Sequence, residues 1–479
     1  MGVARDYIAR MLARVPGMKV LLVDAETARA VAAAESQTEV LKRDVFLVER
    51  LEQEGSDQLM HMKAVCLLRP TPQNLHLLRK HLRSPRFGEY HLFFTNVVRE
   101  GFLLELAEAD TSEVVQQVQE YYLDYTVADP HHFTVPVPSA TSCFLPDPLW
   151  DMQSCQRASD RCVEGLAAVL LSLKRQPSVR FQKGSKLAEG VARDLWGLVY
   201  RQEASLFATR RQEFAPVVLV LDRLDDPVTP LLNQWTYQAM VHEVVGIDNG
   251  RVDLSAAPSV RKDQQQIVLS ATQDDFFREH MYDNYGDLGI ATKSLVEGFQ
   301  GMSAKNQNIQ SIDDMQRFIE SYPEFRAKQG NVSKHVALMS ELSRMVDQRQ
   351  LMAVSQLEQE LACSSGMAAQ FEEAMDLMGK PGVGEHDKVR LAMLFALKYE
   401  QGGDKELAQL KRRLHELGVN RELAGLVDTV TQYAGESRRA GDLFSNRSFG
   451  NRFANAMKKG LKGVDNVYTQ HEPLLSTTL

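Results

Sequence analysis

Apolar residues recur at helical spacing at the start of the chain, at Val3, Tyr7, Met11 and Val15, a stripe that predicts an amphipathic first helix. Short β-rich runs then alternate with helical patterns: MKVLLVD (18 to 24), DVFLVE (44 to 49), MKAVCLL (62 to 68), YHLFFT (90 to 95) and a last run near 122 to 127. Strands interleaved with helices predict a mostly parallel sheet covered on both faces. Asp110 with Glu113 has the spacing of a capping box, which predicts a helix whose Val114, Val118 and Tyr121 face inward. Residues 1–127 therefore form a first α/β domain.

From about 128 the stretch VADPHHFTVPVPSATSCFLPDP, rich in proline and small polar residues, marks a crossing into a second domain. Helical patterns at 156 to 175 and 187 to 206 lead to PVVLVLD (216 to 222), a continuous apolar run of the kind buried on both faces of a parallel sheet. This second α/β domain spans 128–244. Beyond it helical periodicity dominates, with Val332, Val336, Met339, Leu342 and Val346 on one long amphipathic segment. Residues 245–479 read as a mainly helical third domain, with the polar stretch FQGMSAKNQNIQ (299 to 310) as a mobile connector. The fold class is thus α/β plus mainly α: two parallel-sheet domains and a large helical one.

Composition narrows the function. Of 479 residues, 44% are hydrophobic and 25% charged, the balance of an ordinary globular protein. A net charge of -8 argues against a general nucleic-acid binder, which carries a basic face. The five cysteines (Cys66, Cys143, Cys155, Cys162, Cys363) show no paired C-x-x-C spacing, so the pattern suggests neither a zinc site nor a disulfide framework. No apolar run is long enough to span a bilayer, and Asp6 stands where a myristoylation signal after Gly2 wants Ser or Thr. Membrane association is expected only peripherally, through partners.

The candidate chemistry is sparse. Asp222, Asp225 and Asp226 lie at the end of a predicted strand, where α/β enzymes hold magnesium or perform acid-base work. Pro227, Val228, Thr229 and Pro230 follow at once, so the same carboxylates also read as caps on a turn or as partners of Arg223. No phosphate-binding glycine motif follows any of the predicted strands, and GKPGVGEHDK (379 to 388) reads as a loop between helices. His131 and His132 have no further ligand at metal-binding spacing. The basic stretch RFANAMKKGLKG (452 to 463) fits either an anionic membrane surface or a solvated helix face.

At DRLDDPVTPLLNQWTYQAMVHEVVGI (222 to 247) the chain closely resembles the SM family, the Sec/Munc-eighteen-like regulators of SNARE assembly. GMKVLLVD (17 to 24), LAEADTSEVVQQVQEYYLDY (106 to 125), SKHVALMSELSRMV (333 to 346), EQELAC (358 to 363) and KGLKGVDNVYTQHEP (459 to 473) extend the likeness nearly end to end, and are most like the family's endosomal and trans-Golgi branch. The resemblance implies a three-domain arch around a central cavity. It implies no cofactor, no catalysis, and a monomer on Golgi and endosomal membranes. The implied partners are a syntaxin-16-like SNARE, a vesicle SNARE and the assembled SNARE complex.

By the same resemblance, a pocket for the syntaxin N-terminal peptide falls at Leu103, Val115 and Glu120, and the face toward closed syntaxin at Asp24, Arg29 and Glu49. A helical hairpin over about 311–355 would align the vesicle SNARE, with Pro323 at its bend and Val336 in contact. Family members continue past the equivalent of Leu479 and return a segment to the second sheet, so a truncated sheet around 216 to 222 is expected. The rival readings are a metal-dependent enzyme built on Asp222, Asp225 and Asp226, and a helical tether or scaffold.

Overall fold

The structure is a computed structural model describing residues 2–53, 58–137, 152–208, 214–258, 260–307, 312–439, 443–444 and 471–478. Two compact units divide the chain, Met1–Asp222 and Arg223–Leu479. Both sheets expected from the sequence lie in the first unit.

The first sheet is formed by β1 (Lys19–Val23), β2 (Val45–Arg50), β3 (Leu59–Leu68), β4 (Phe87–Phe94) and β5 (Val115–Glu120), all parallel, in the order β2-β1-β3-β4-β5. Side chains alternate across the sheet plane, so Leu21, Val23, Val65, Leu67 and Phe93 pack on one face with Ala4, Ile8, Met11 and Leu12 of the first helix, Gly2–Arg14. Val20, Leu22, Ala64, Cys66, Leu92 and Phe94 pack on the other with Leu75, Leu78 and Leu82 of the helix Pro72–Arg83 and with Leu106 of the helix Glu100–Ala109. Burial on both faces explains why these strands read as continuous apolar runs.

One expected element changes type. The helix expected after Asp110 is strand β5, and the preceding helix ends at Ala109. Asp110 does cap, but it caps a turn: its two carboxylate oxygens accept from the backbone N–H groups of Val114 and Val115 at 2.9 and 3.0 Å. Glu113 adopts a φ of 51°, which no continuing right-handed helix allows.

The second sheet is a parallel pair, Ser178–Phe181 with Val217–Val220. Val179, Val218 and Val220 pack on a small core of Val163, Leu170, Leu171, Val191, Leu195 and Phe207, supplied by the helices Met152–Leu173 and Lys186–Gly197 and the short helix Ala204–Phe207. The expectation that 216 to 222 is buried on both faces does not hold among the described residues: Val217 is 55% and Leu221 38% exposed.

The second unit is mainly helical. A long pair, Tyr285–Gln307 and Ile312–Gln348, rises from a core of Trp235, Tyr237, Val252, Phe277, Leu338 and Leu342. Five further helices, Leu351–Cys363, Met367–Gly379, Glu385–Lys398, Asp404–Glu416 and Arg421–Ala434, pack around Leu391, Leu394 and Phe395. Residues 299–307, expected as connector, complete the first long helix; 308–311 lie outside the described residues. Consequently 311–355 is not the hairpin expected. It holds one long helix, then a break at Gln350 (φ 54°) and the start of the next helix. Pro323 does not end that helix, which runs through it at the cost of the hydrogen bond its missing N–H would make.

Candidate functional site

The elements expected to receive a partner lie at the two edges of the first sheet and on the long helix pair. Leu103 is 38% exposed and Leu104 60% on the helix Glu100–Ala109, so both put apolar surface into solvent. Val115 opens the edge strand β5, half-buried against the same cluster as Val114 and Phe102. Glu120 closes that strand, and its carboxylate is engaged internally. One oxygen accepts from the Val98 N–H at 2.8 Å and the other from the Tyr122 hydroxyl at 2.8 Å. Glu120 therefore braces the turn that launches the helix carrying Leu103.

After β1, one strand in from the other edge, Arg29 is exposed on the helix Ala25–Ala34. Asp24, expected as an exposed charge, is buried and saturated: one oxygen caps that helix through the Glu26 and Thr27 N–H groups, and the other accepts from the Arg69 N–H and the Asn74 side-chain amide. A carboxylate holding four donors has nothing left for a partner. Glu49, half-buried on β2, pairs with Arg86 at 3.1 Å.

Asp24 belongs to a network the sequence reading missed, at the C-terminal ends of the strands. Asp124 accepts from Arg69 Nε at 2.7 Å, Asn96 Nδ2 at 3.0 Å and Arg161 Nη1 at 3.1 Å. Arg161, on the helix Met152–Leu173, also reaches Glu26 at 3.3 Å. Open α/β sheets take ligands in this crevice. Here Arg69 and Arg161 line it. Polar residues at the ends of β1, β3 and β4 (Asp24 and Arg69 directly after their strands, Asn96 two residues after β4) were the available signal.

On the long helix pair Val336 is 37% exposed, whereas His335, Leu338, Leu342 and Val346 are buried. The inward stripe is thus rotated from the expected one: Leu342 and Val346 belong to it, Val332 and Met339 are half-buried, and Val336 faces out. Ile290 on the neighbouring helix is 68% exposed, a second apolar residue the sequence did not single out.

The aspartate trio holds no metal-ligand geometry. Asp222 accepts from the Ser185 hydroxyl at 2.6 Å, and that hydroxyl caps the helix Lys186–Gly197 through the Ala188 N–H. Asp226 accepts from the Thr229 N–H and hydroxyl at 3.1 and 2.8 Å and from the Leu474 N–H at 3.3 Å. His471 lies beside it, with Nε2 3.0 Å from the Thr229 hydroxyl; burial pushes its imidazole below its ordinary pKa. Among the described residues no group of three or more His, Cys, Asp or Glu side chains could hold a metal ion. His131 and His132 donate their backbone N–H groups to Asp129 in a turn, and no described helix is long and apolar enough to cross a membrane.

The comparisons with known proteins place the whole chain in a family. The Vacuolar protein sorting-associated protein 45 homolog of Arabidopsis thaliana is 48% identical over 99% of this chain and 84% of its own length. Vacuolar protein sorting-associated protein 45 of Homo sapiens is 42% identical over 99% of this chain and 82% of its own length. A solved structure of the SM protein Vps45 in complex with the Qa SNARE Tlg2 superposes with a TM-score of 0.87 at 42% identity, covering 99% of this chain and 84% of that one. The Sec1 family pattern matches residues 19–479. The chain therefore has the SM fold and belongs to the Sec1 family.

Proposed function

We propose that this chain is a SNARE-binding regulator of vesicle transport and membrane fusion in the endosomal and trans-Golgi pathway, which binds a syntaxin and promotes SNARE assembly. The observation that carries this is the near full-length likeness to Vps45 in a structure that contains the Qa SNARE Tlg2. Leu103 and Arg29 offer an apolar and a charged contact on the first unit, and Val336 an apolar contact on the second. Glu120 and Asp24 support these surfaces from within, as helix-entry brace and helix cap. The work is done by binding free energy, without bond chemistry: Asp222 and Asp226 accept hydrogen bonds from local cap and turn donors. Its place is peripheral, on Golgi and endosomal membranes, through its SNARE partners.

The test is a pull-down of syntaxin cytosolic regions, each with and without its N-terminal peptide. Selective capture of an endosomal, syntaxin-16-like member supports the proposal. Equal capture of all syntaxins, or of none, refutes it.

A further inference from the structure

Asp274 caps the short helix Asp275–His280, one carboxylate oxygen accepting the Phe277 N–H at 2.9 Å. The same carboxylate gathers three side chains from the helix Ile312–Gln348: Asn331 Nδ2 at 3.2 Å, Lys334 Nζ, and His335 Nε2 at 2.9 Å. Residues at i, i+3 and i+4 lie on one face of a single turn, so one buried anion grips the helix along one line. An ionised carboxylate only accepts, so His335 Nε2 carries the proton. Its Nδ1 then accepts from the Tyr237 hydroxyl at 2.7 Å. Asp274, His335 and Tyr237 are all buried, and the Phe276 ring lies 4.5 Å from the imidazole centroid.

Val336 follows His335, about 100° further round the helix. The line gripped by Asp274 therefore decides which way Val336 faces. Turning the helix by one residue would carry Val336 inward. We propose that Asp274 and His335 are positioning residues that lock the rotation of this helix and hold Val336 outward toward a vesicle SNARE, a proposal that rests on Val336 belonging to that surface.

The lock also has a pH response. The charged and titratable groups acting on His335 are Asp274, Lys334, Tyr237 and His280, the last paired to Asp283. Burial pushes the imidazole below its ordinary pKa, opposed by Asp274. With the folded value below the unfolded one, the stabilisation is full above a pH of about 6.5 and drains as pH falls.

Calorimetry on the full chain with a panel of endosomal vesicle-SNARE cytosolic regions tests this, using Val336→Arg, His335→Gln, Asp274→Asn and Lys334→Met. The lock predicts that His335→Gln and Asp274→Asn each weaken vesicle-SNARE binding about tenfold and speed hydrogen exchange around 331–346. Binding of the syntaxin N-terminal peptide stays unchanged. The melting temperature of the parent falls as pH drops below about 6.5, and falls more than that of His335→Gln. If Asp274→Asn does not fold, His335→Gln and Lys334→Met carry the test, the latter with about a threefold loss. Unchanged vesicle-SNARE binding in Val336→Arg would sink the surface. Loss in Val336→Arg, with parental affinity and pH profile in the folded lock variants, would overturn the lock alone.

Discussion

Asn233 and Glu358, 125 residues apart in sequence, are joined by a paired hydrogen bond: the Asn233 N–H donates to one carboxylate oxygen and its side-chain amide to the other, both at 2.8 Å. Asn233 lies in the segment most characteristic of the family and Glu358 in the middle of the helix Leu351–Cys363, so the pair fastens that segment to the helical core. Glu358 is completely buried, and burial pushes its carboxyl up to about 8, against the two donated hydrogen bonds, which favour the ionised form.

A pH dependence follows from that shift. The folded value lies above the unfolded one, so the stabilisation from Glu358 is full below a pH of about 4.5 and drains away as pH rises to about 8. The melting temperature of the parent is expected to fall by on the order of several degrees more than that of Glu358→Gln between pH 5 and 8.5. Equal falls in both proteins would show that Glu358 is ionised throughout.

Asp124 is the buried anion between Arg69 and Arg161. Asp124→Ala removes the most buried carboxylate shared by the two guanidinium groups and leaves them Glu26, and a loss of about 3 kcal/mol is expected in urea unfolding of the first unit. A loss below about 1 kcal/mol would mean that water reaches the crevice.

Asp226 holds the Thr229 turn and the segment at His471 and Leu474. Asp226→Ala should lower stability by about 1–2 kcal/mol, the worth of a capping carboxylate, and leave syntaxin binding near the parental value. Elemental analysis is the decisive readout. A stoichiometric divalent ion in the parent, absent from the variant, would reinstate the metal-dependent reading.

Much of the first sheet was legible because strands buried on both faces carry no polar alternation to confuse the eye, as in KVLLV and the end of β3. The strand at 115–120 was not. VQQVQE lacks such a run, and the Asp110 signal that announces a helix is equally the signal of a capped turn. In the helical unit the long segment was visible, but its phase was not. Val332 and Val336 fit a helical stripe as well as Leu338 does, and which stripe turns inward depends on tertiary partners: the core that receives Leu338 and Leu342, and Asp274, which holds Asn331, Lys334 and His335. Pro323 misled because local propensity makes a proline a stop, whereas the helix Ile312–Gln348 runs through it. At the site, the exposure of Leu103 was foreseeable, whereas the burial of Asp24 depends on Arg69 and Asn74, 45 and 50 residues away.

The account stands most directly on calorimetry of the parent chain and Leu103→Arg against a syntaxin-16-like cytosolic region, with and without its N-terminal peptide. Leu103 is exposed on the helix Glu100–Ala109, so the arginine leaves the core intact and the melting temperature should hold. The parent should bind the peptide-bearing form more tightly than the truncated one, and Leu103→Arg should remove most of that advantage, a loss of roughly tenfold or more for an apolar anchor. A folded Leu103→Arg that keeps the parental affinity for both forms would contradict the pocket, and no binding by the parent would contradict the proposed function itself.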